Sequence, residues 1–152
     1  MPRIHFQVQT EITPGGVLAA LTDFTERRAQ VWPNIDVAHF KVHGLGAGWA
    51  DVTEGNSLAG GIWERSRYEW GTTPGMIRTT TLESNTWRPG SGWSYQLMPT
   101  PTGGTRIDVT VLRLGRGIKG RTLGITLSVF GAHILRSDMQ QVLRRIGPAT
   151  TA

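Results

Sequence analysis

Gly117 to Ile146 is the only stretch of this sequence whose apolar spacing runs long enough for a full-length helix, and it comes last, so whatever precedes it must present a surface for it to lie on. Its large apolar residues change sides along its length. Leu123, Leu127, Phe130 and Ile134 make one row, and Leu135, Met139, Val142 and Ile146 make a second, about a third of a turn round. In line with the second row, but earlier, runs a seam of small residues, Gly124, Ser128, Gly131 and Ala132. Such a seam serves either a hollow beside the helix or close backbone packing, and the spacing alone does not choose between them.

The preceding segments read as strands and turns. Ile4, Phe6, Val8 and Ile12 alternate with polar residues, the period of a strand with one buried face. Thr13-Pro14 then has the form of a helix cap followed by proline at the first helical position, and a second short helix is expected over Thr25–Val31, stopped by Trp32-Pro33-Asn34. A strand pattern resumes from His39 to Glu54, turning at Gly44–Gly48. Four more strands are predicted at Ile62–Trp70, Met76–Thr86, Trp93–Met98 and Thr105–Leu114, each pair separated by a Gly/Pro-rich turn. Strands joined by short turns are antiparallel, and a sheet of this size must curl and cover its apolar face. The predicted class is therefore α+β: a curled antiparallel sheet gripping a long C-terminal helix, with two short helices after the first strand. No composition shift divides the 152 residues, so a single domain over 1–152 is expected.

Composition narrows the chemistry. With no Cys, thiolate metal sites, disulfides and a cysteine nucleophile are excluded. Met1-Pro-Arg-Ile-His-Phe-Gln alternates from the start and lacks the apolar run of a secretory signal, and Thr122–Ala132 is too short to span a bilayer. The expectation is a cytoplasmic protein without stable membrane insertion. The net charge of +5 comes from sixteen basic and eleven acidic side chains, without the concentrated basic face and interleaved aromatics of a nucleic-acid binder. Arg113, Arg116, Lys119 and Arg121 form one acid-free cluster, readable as a solvated loop or as a dock for an acidic protein partner.

The layout resembles the START-like (SRPBCC) superfamily, which includes polyketide cyclase/dehydrase and lipid-transport proteins. The residues that carry the resemblance are Leu18-Ala-Ala-Leu-Thr-Asp-Phe24 with Trp32-Pro-Asn34, Glu83-Ser-Asn-Thr-Trp-Arg-Pro-Gly-Ser-Gly-Trp93, Gly103-Gly-Thr105 and Leu123-Gly-Ile-Thr-Leu-Ser-Val-Phe-Gly131. It implies a helix-grip fold and an apolar cavity between sheet and long helix that binds a hydrophobic molecule. These motifs specify architecture rather than chemistry, because one fold hosts carriers, sensors and enzymes.

Other patterns carry less. Gly115-Arg-Gly-Ile-Lys-Gly120 satisfies G-x-G-x-x-G, but the dinucleotide fold needs a further parallel strand after its helix, and no cofactor is expected. His39 and His43 fall in a strand pattern, where four residues span about 13 Å, too far to share a metal, and no metal site is expected. A symmetric turn at Gly71–Gly75 would set Trp70 opposite Met76, Tyr68 opposite Arg78 and Glu64 opposite Leu82, with Glu64, Tyr68 and Arg78 as polar groups on the cavity face and a diagonal Glu64–Arg78 pair. An offset of one residue would reverse the faces. Trp93, Tyr95 and Leu97 favour one face of the last hairpin, while Ile107, Val109 and Val111 favour the other under a two-residue turn. The candidate ligand-binding set is Trp32, Phe40, Glu64, Tyr68, Trp70, Arg78, Tyr95, Leu127, Ser128, Phe130 and Gly131. The leading reading is a carrier or sensor of an apolar small molecule. Its rival is a polyketide cyclase or dehydratase using Glu64 or Tyr68 as acid or base.

Overall fold

The computed structural model describes residues 3–147, so Met1 and Pro2 of the opening alternation lie outside the described residues. Seven strands form one antiparallel sheet: β1 (Arg3–Thr10), β2 (Lys41–Gly46), β3 (Trp49–Asn56), β4 (Ile62–Glu69), β5 (Met76–Ser84), β6 (Gly92–Pro99) and β7 (Thr105–Leu112). Their order is β1-β7-β6-β5-β4-β3-β2, so the first strand pairs with the last and every other neighbour is a sequence neighbour. Two short helices, α1 (Pro14–Leu21) and α2 (Arg27–Val31), carry the chain from β1 at one edge to β2 at the other, and α3 (Gly117–Ile146) closes the fold. Sheet and long C-terminal helix have the predicted arrangement, and the bounds of α3 are those read from periodicity.

Local chemistry explains most of the boundaries. Thr13 caps α1, its Oγ1 accepting the Gly16 N–H at 3.2 Å, ahead of Pro14 at the first helical position. The structure starts α2 at Arg27 rather than Thr25, because Asp23 accepts the Thr25 N–H at 3.0 Å and holds Thr25 in a turn before the helix. His39 is not in a strand. It ends a single 3-10 turn, Val37–His39, where Asp36 accepts its backbone N–H at 3.0 Å, and β2 begins two residues later. His43, on β2, meets Thr53 Oγ1 at 2.7 Å.

Register supplies two corrections. β4 and β5 are offset by one residue from the symmetric turn, with Tyr68 opposite Thr79 and Ser66 opposite Thr81. Thr79 and Thr81 are therefore buried on the inner face, and Arg78, opposite Glu69, points to solvent. A bulge follows at Leu82 and Glu83, both exposed, and restores the phase so that Ser84 is buried opposite Glu64. In the last hairpin Pro99 pairs with Thr105, leaving a turn from Thr100 to Gly104 in which Gly103 takes a positive φ of 89°. That odd-length turn puts Trp93, Tyr95 and Leu97 directly opposite Val111, Val109 and Ile107, all six facing one side.

The core lies between the concave face and α3, built from Ile4, Phe6 and Val8 of β1, Val17 and Leu21 of α1, Ile77, Ile107 and Val109 of the sheet, and Met139 and Leu143 of α3. The small seam of α3 packs closely rather than bordering a hollow. A Cβ on Gly131 would stand 2.7 Å from Ile4 Cδ1, and Ser128 is exposed.

Candidate functional site

A cavity of about 160 Å³ opens between the inner face of the sheet and the C-terminal half of α3. Its apolar walls are Phe6, Trp32, Trp87, Trp93, Tyr95, Val109, Val111, Leu135 and Met139. Trp87 stands between β5 and β6, held by a bridge to Gly115.

Two buried ion pairs sit side by side in one wall. Glu54 of β3 and Glu64 of β4 are direct cross-strand partners and face inward. Like charges so placed repel, and each carboxylate has its own arginine. Arg28, 3% exposed, donates from Nε to Glu54 Oε2 at 2.5 Å. It also donates from one terminal nitrogen to the Leu21 and Asp23 carbonyls at 3.1 and 3.2 Å, and from the other to the Tyr68 hydroxyl at 3.1 Å. The Tyr68 hydroxyl donates to the other Glu54 oxygen. Arg28 is also flanked by rings, its guanidinium carbon 4.4 Å from the Phe24 centroid and 5.3 Å from that of Trp32. On the Glu64 side, Arg113 donates to Oε2 at 2.7 Å while Thr81 donates its hydroxyl to the same oxygen. Arg113 lies 5.1 Å from the Trp87 centroid and 4.9 Å from that of Trp93. Two arginines and two glutamates make the cluster formally neutral, the condition under which charges persist in an apolar wall.

Titration behaviour follows from this packing. Burial pulls the Arg28 guanidinium down, but Glu54 and Tyr68 more than offset it and hold its pKa above the ordinary value. Burial, reinforced by the Glu54 charge, pushes the Tyr68 hydroxyl well above the usual phenol range, and burial likewise raises Tyr95. Both tyrosines are neutral donors at physiological pH. Asp138 enters from α3 and differs from the two glutamates: no arginine or lysine pairs with it among the described residues, and burial raises its pKa.

Of the residues marked from sequence, the structure places Trp32, Glu64, Tyr68 and Tyr95 on the cavity wall. The other seven lie elsewhere. Trp70 stacks on Phe24 at 6.0 Å behind the wall, and Phe40 and Leu127 pack against the core without lining the cavity. Arg78 is exposed by the register offset, so the expected Glu64–Arg78 pair is replaced by Glu64–Arg113. Ser128 and Phe130 face outward, and Gly131 abuts Ile4. The basic cluster does not present its four cations as one outward patch, and the acidic-partner reading finds no support. Arg113 turns inward and Lys119 donates to the Gly61 carbonyl at 2.6 Å, while Arg116, which donates to the Ser84 carbonyl at 3.1 Å, and Arg121 remain exposed.

Arg28, Glu54, Trp87, Trp93, Arg113 and Asp138 line the cavity but are absent from the candidate set read from sequence, although signals were present for three of them. Phe24 and Trp32 stand four residues either side of Arg28, and the turn before α2 and the cap after it bring both rings to the guanidinium. Glu54 continues the buried phase of Ala50 and Val52, and Arg113 continues that of Val109 and Val111. Among the described residues no group of His, Asp and Glu is arranged to hold a metal, and no helix is long and apolar enough to cross a membrane.

No protein-family model and no curated protein matches the chain. Solved structures do. An aromatase/cyclase, Zhui, from a Streptomyces species superposes with a TM-score of 0.76 at 13% identity, covering 95% of this chain and 92% of that one. A START superfamily protein from Mycobacterium smegmatis gives 0.73 at 11% identity over 95% and 96% of the two chains. A STAR-related lipid transfer protein fragment from Xanthomonas axonopodis gives 0.73 at 12% over 95% and 85%. At these identities the likeness concerns the backbone, and what it shows, together with the seven-stranded sheet closed by α3, is that the chain has the START-like, helix-grip fold.

Proposed function

We propose that this protein binds a hydrophobic small molecule, lipid- or polyketide-like, in the cavity between the sheet and α3. The observation that carries the reading is a cavity walled by Trp, Tyr, Phe and aliphatic side chains whose two internal carboxylates are each neutralised by an arginine. Such a wall offers apolar surface for affinity and leaves Tyr95, Asp138 and the Trp93 indole N–H, which has no hydrogen-bond partner among the described residues, to orient the ligand. A volume of about 160 Å³ suits a compact ring-bearing molecule and is smaller than the roughly 300–1,000 Å³ that a drug-sized ligand takes. The lipid transfer protein and the aromatase/cyclase among the structural neighbours accord with a lipid- or polyketide-like ligand.

One observation favours a second, enzymatic reading: Asp138 is a cavity carboxylate whose pKa is raised by burial, as a general acid or base requires, while Glu54 and Glu64 are held by arginines. Native mass spectrometry of the purified protein, with tryptophan fluorescence during titration by candidate ligands, tests the binding reading. A saturable change lost in a folded Trp93→Ala variant is expected, and unchanged binding in that variant overturns the site. For catalysis, Asp138→Asn should retain binding and lose turnover. Turnover that survives the substitution removes Asp138 as the acid or base.

A further inference from the structure

A surface helix ordinarily turns charge to solvent, and the N-terminal two-thirds of α3 does the opposite. Ile118 is 87% exposed, Ile125 and Val129 68% each, Phe130 60% and Ile134 41%. Ile118, Ile125 and Val129 recur at i, i+7 and i+11, so they lie along one stripe, and Phe130 and Ile134 form a second stripe a third to nearly half a turn away. Thr122, Thr126 and His133 lie between the two, all exposed. The ionisable side chains from Gly117 to Ser137 are Lys119, Arg121, His133 and Arg136, with no carboxylate among them.

We infer that this face of α3 docks on an anionic lipid bilayer surface, the helix lying in the plane of the interface with Ile125, Val129 and Phe130 among the acyl chains and Arg121 and Arg136 against lipid phosphates. Charge selects this occupant. A second copy docked through the same face would bring Arg121 and Arg136 towards their own counterparts with no acid to compensate, whereas an anionic surface complements them. Apolar area combined with cations and no acid is the composition that binds at an interface without spanning it. The placement also has a geometric sense, because the next turns of the same helix, at Leu135, Asp138 and Met139, form the cavity wall. Docking itself does not depend on the ligand proposed above.

The test is flotation of the full chain with vesicles of phosphatidylcholine alone and of phosphatidylcholine mixed with phosphatidylglycerol. The expected result is partition onto the mixed vesicles that falls with added salt. Arg121→Gln with Arg136→Gln should lower it by about 25-fold, about fivefold for each cation. Ile125→Asp with Val129→Asp should abolish it while leaving the circular dichroism spectrum and the fluorescence response to 2-naphthol, a compact ring-bearing probe of the cavity, unchanged. Wild-type protein that ignores both vesicle types, or partitions equally onto both, overturns the proposal. So does a concentration-dependent dimer in sedimentation that the Ile125/Val129 variant dissociates without any vesicle binding by the wild type. Loss of the cavity response with vesicle binding intact would instead count against the ligand reading alone.

Discussion

Arg28 is the residue on which the inner wall depends, because one guanidinium joins α1, α2, β3 and β4 through the Leu21 carbonyl, Glu54 and Tyr68. Breaking a buried pair by removing one partner strands a charge, which typically costs about 3–5 kcal/mol. Glu54→Gln should therefore destabilise the protein by that order in urea unfolding, and Arg28→Met with Glu54→Leu should cost less than the sum of the two single changes. Asp138 should show the reverse behaviour. Its folded pKa is raised, so below the ordinary carboxylate value it carries no penalty, and stability is lost as pH rises through the raised value. Asp138→Asn should accordingly raise the melting temperature at neutral pH and leave it unchanged well below pH 4, as pH-dependent thermal melts would check. At this scale the sequence exposed polar groups only where they interrupted an apolar alternation. Glu64 and Tyr68 were visible that way, whereas the pairing of Glu64 with Arg113, distant in the chain, depends on how β4 and the end of β7 converge.

Among the elements, α3 was the most legible and the most misleading. Thirty residues of helical spacing fixed its bounds, yet small residues mark both hollows and close approaches, and only the position of Ile4 decides between them at Gly131. Gly131→Ala should be mild, since the atom it meets is the mobile end of Ile4. Gly131→Leu should destabilise by about 1–3 kcal/mol without weakening ligand binding, which calorimetry and titration of the same variant would separate. The β4–β5 and β6–β7 hairpins teach a related lesson. Alternation grouped the residues of β4, β6 and β7 correctly and misplaced those of β5, because the face shared between strands turns on whether a loop holds an odd or even number of residues and on the bulge at Leu82 and Glu83, neither of which alternation encodes.

For the whole molecule, charge is arranged differently inside and out. The wall cluster is self-neutralising, while on the outer face of the sheet Arg65 grips Asp51 with hydrogen bonds of 2.9 and 2.8 Å. Those bonds hold the Asp51 carboxyl below its ordinary value, as the His39 hydrogen bond does for Asp36. Stability from these groups is present above the ordinary carboxylate range and is lost as pH falls through their lowered values, so Arg65→Ala should move the acid-unfolding midpoint upward. The fold class was readable from sequence because strand count, turn chemistry and the terminal helix all constrain the same layering. The pairing of β1 with β7 was not, since both strands alternate equally well with any antiparallel neighbour. That pairing has a consequence during synthesis. Ile4, Phe6 and Val8 leave the ribosome ahead of their partners Val111, Val109 and Ile107, which follow roughly a hundred residues later, about 5–20 s at ordinary elongation rates. Throughout that interval the nascent chain carries an apolar strand with no native edge to join, so the sheet cannot be completed until β7 has been made, and the first of its strands is among the last to be secured.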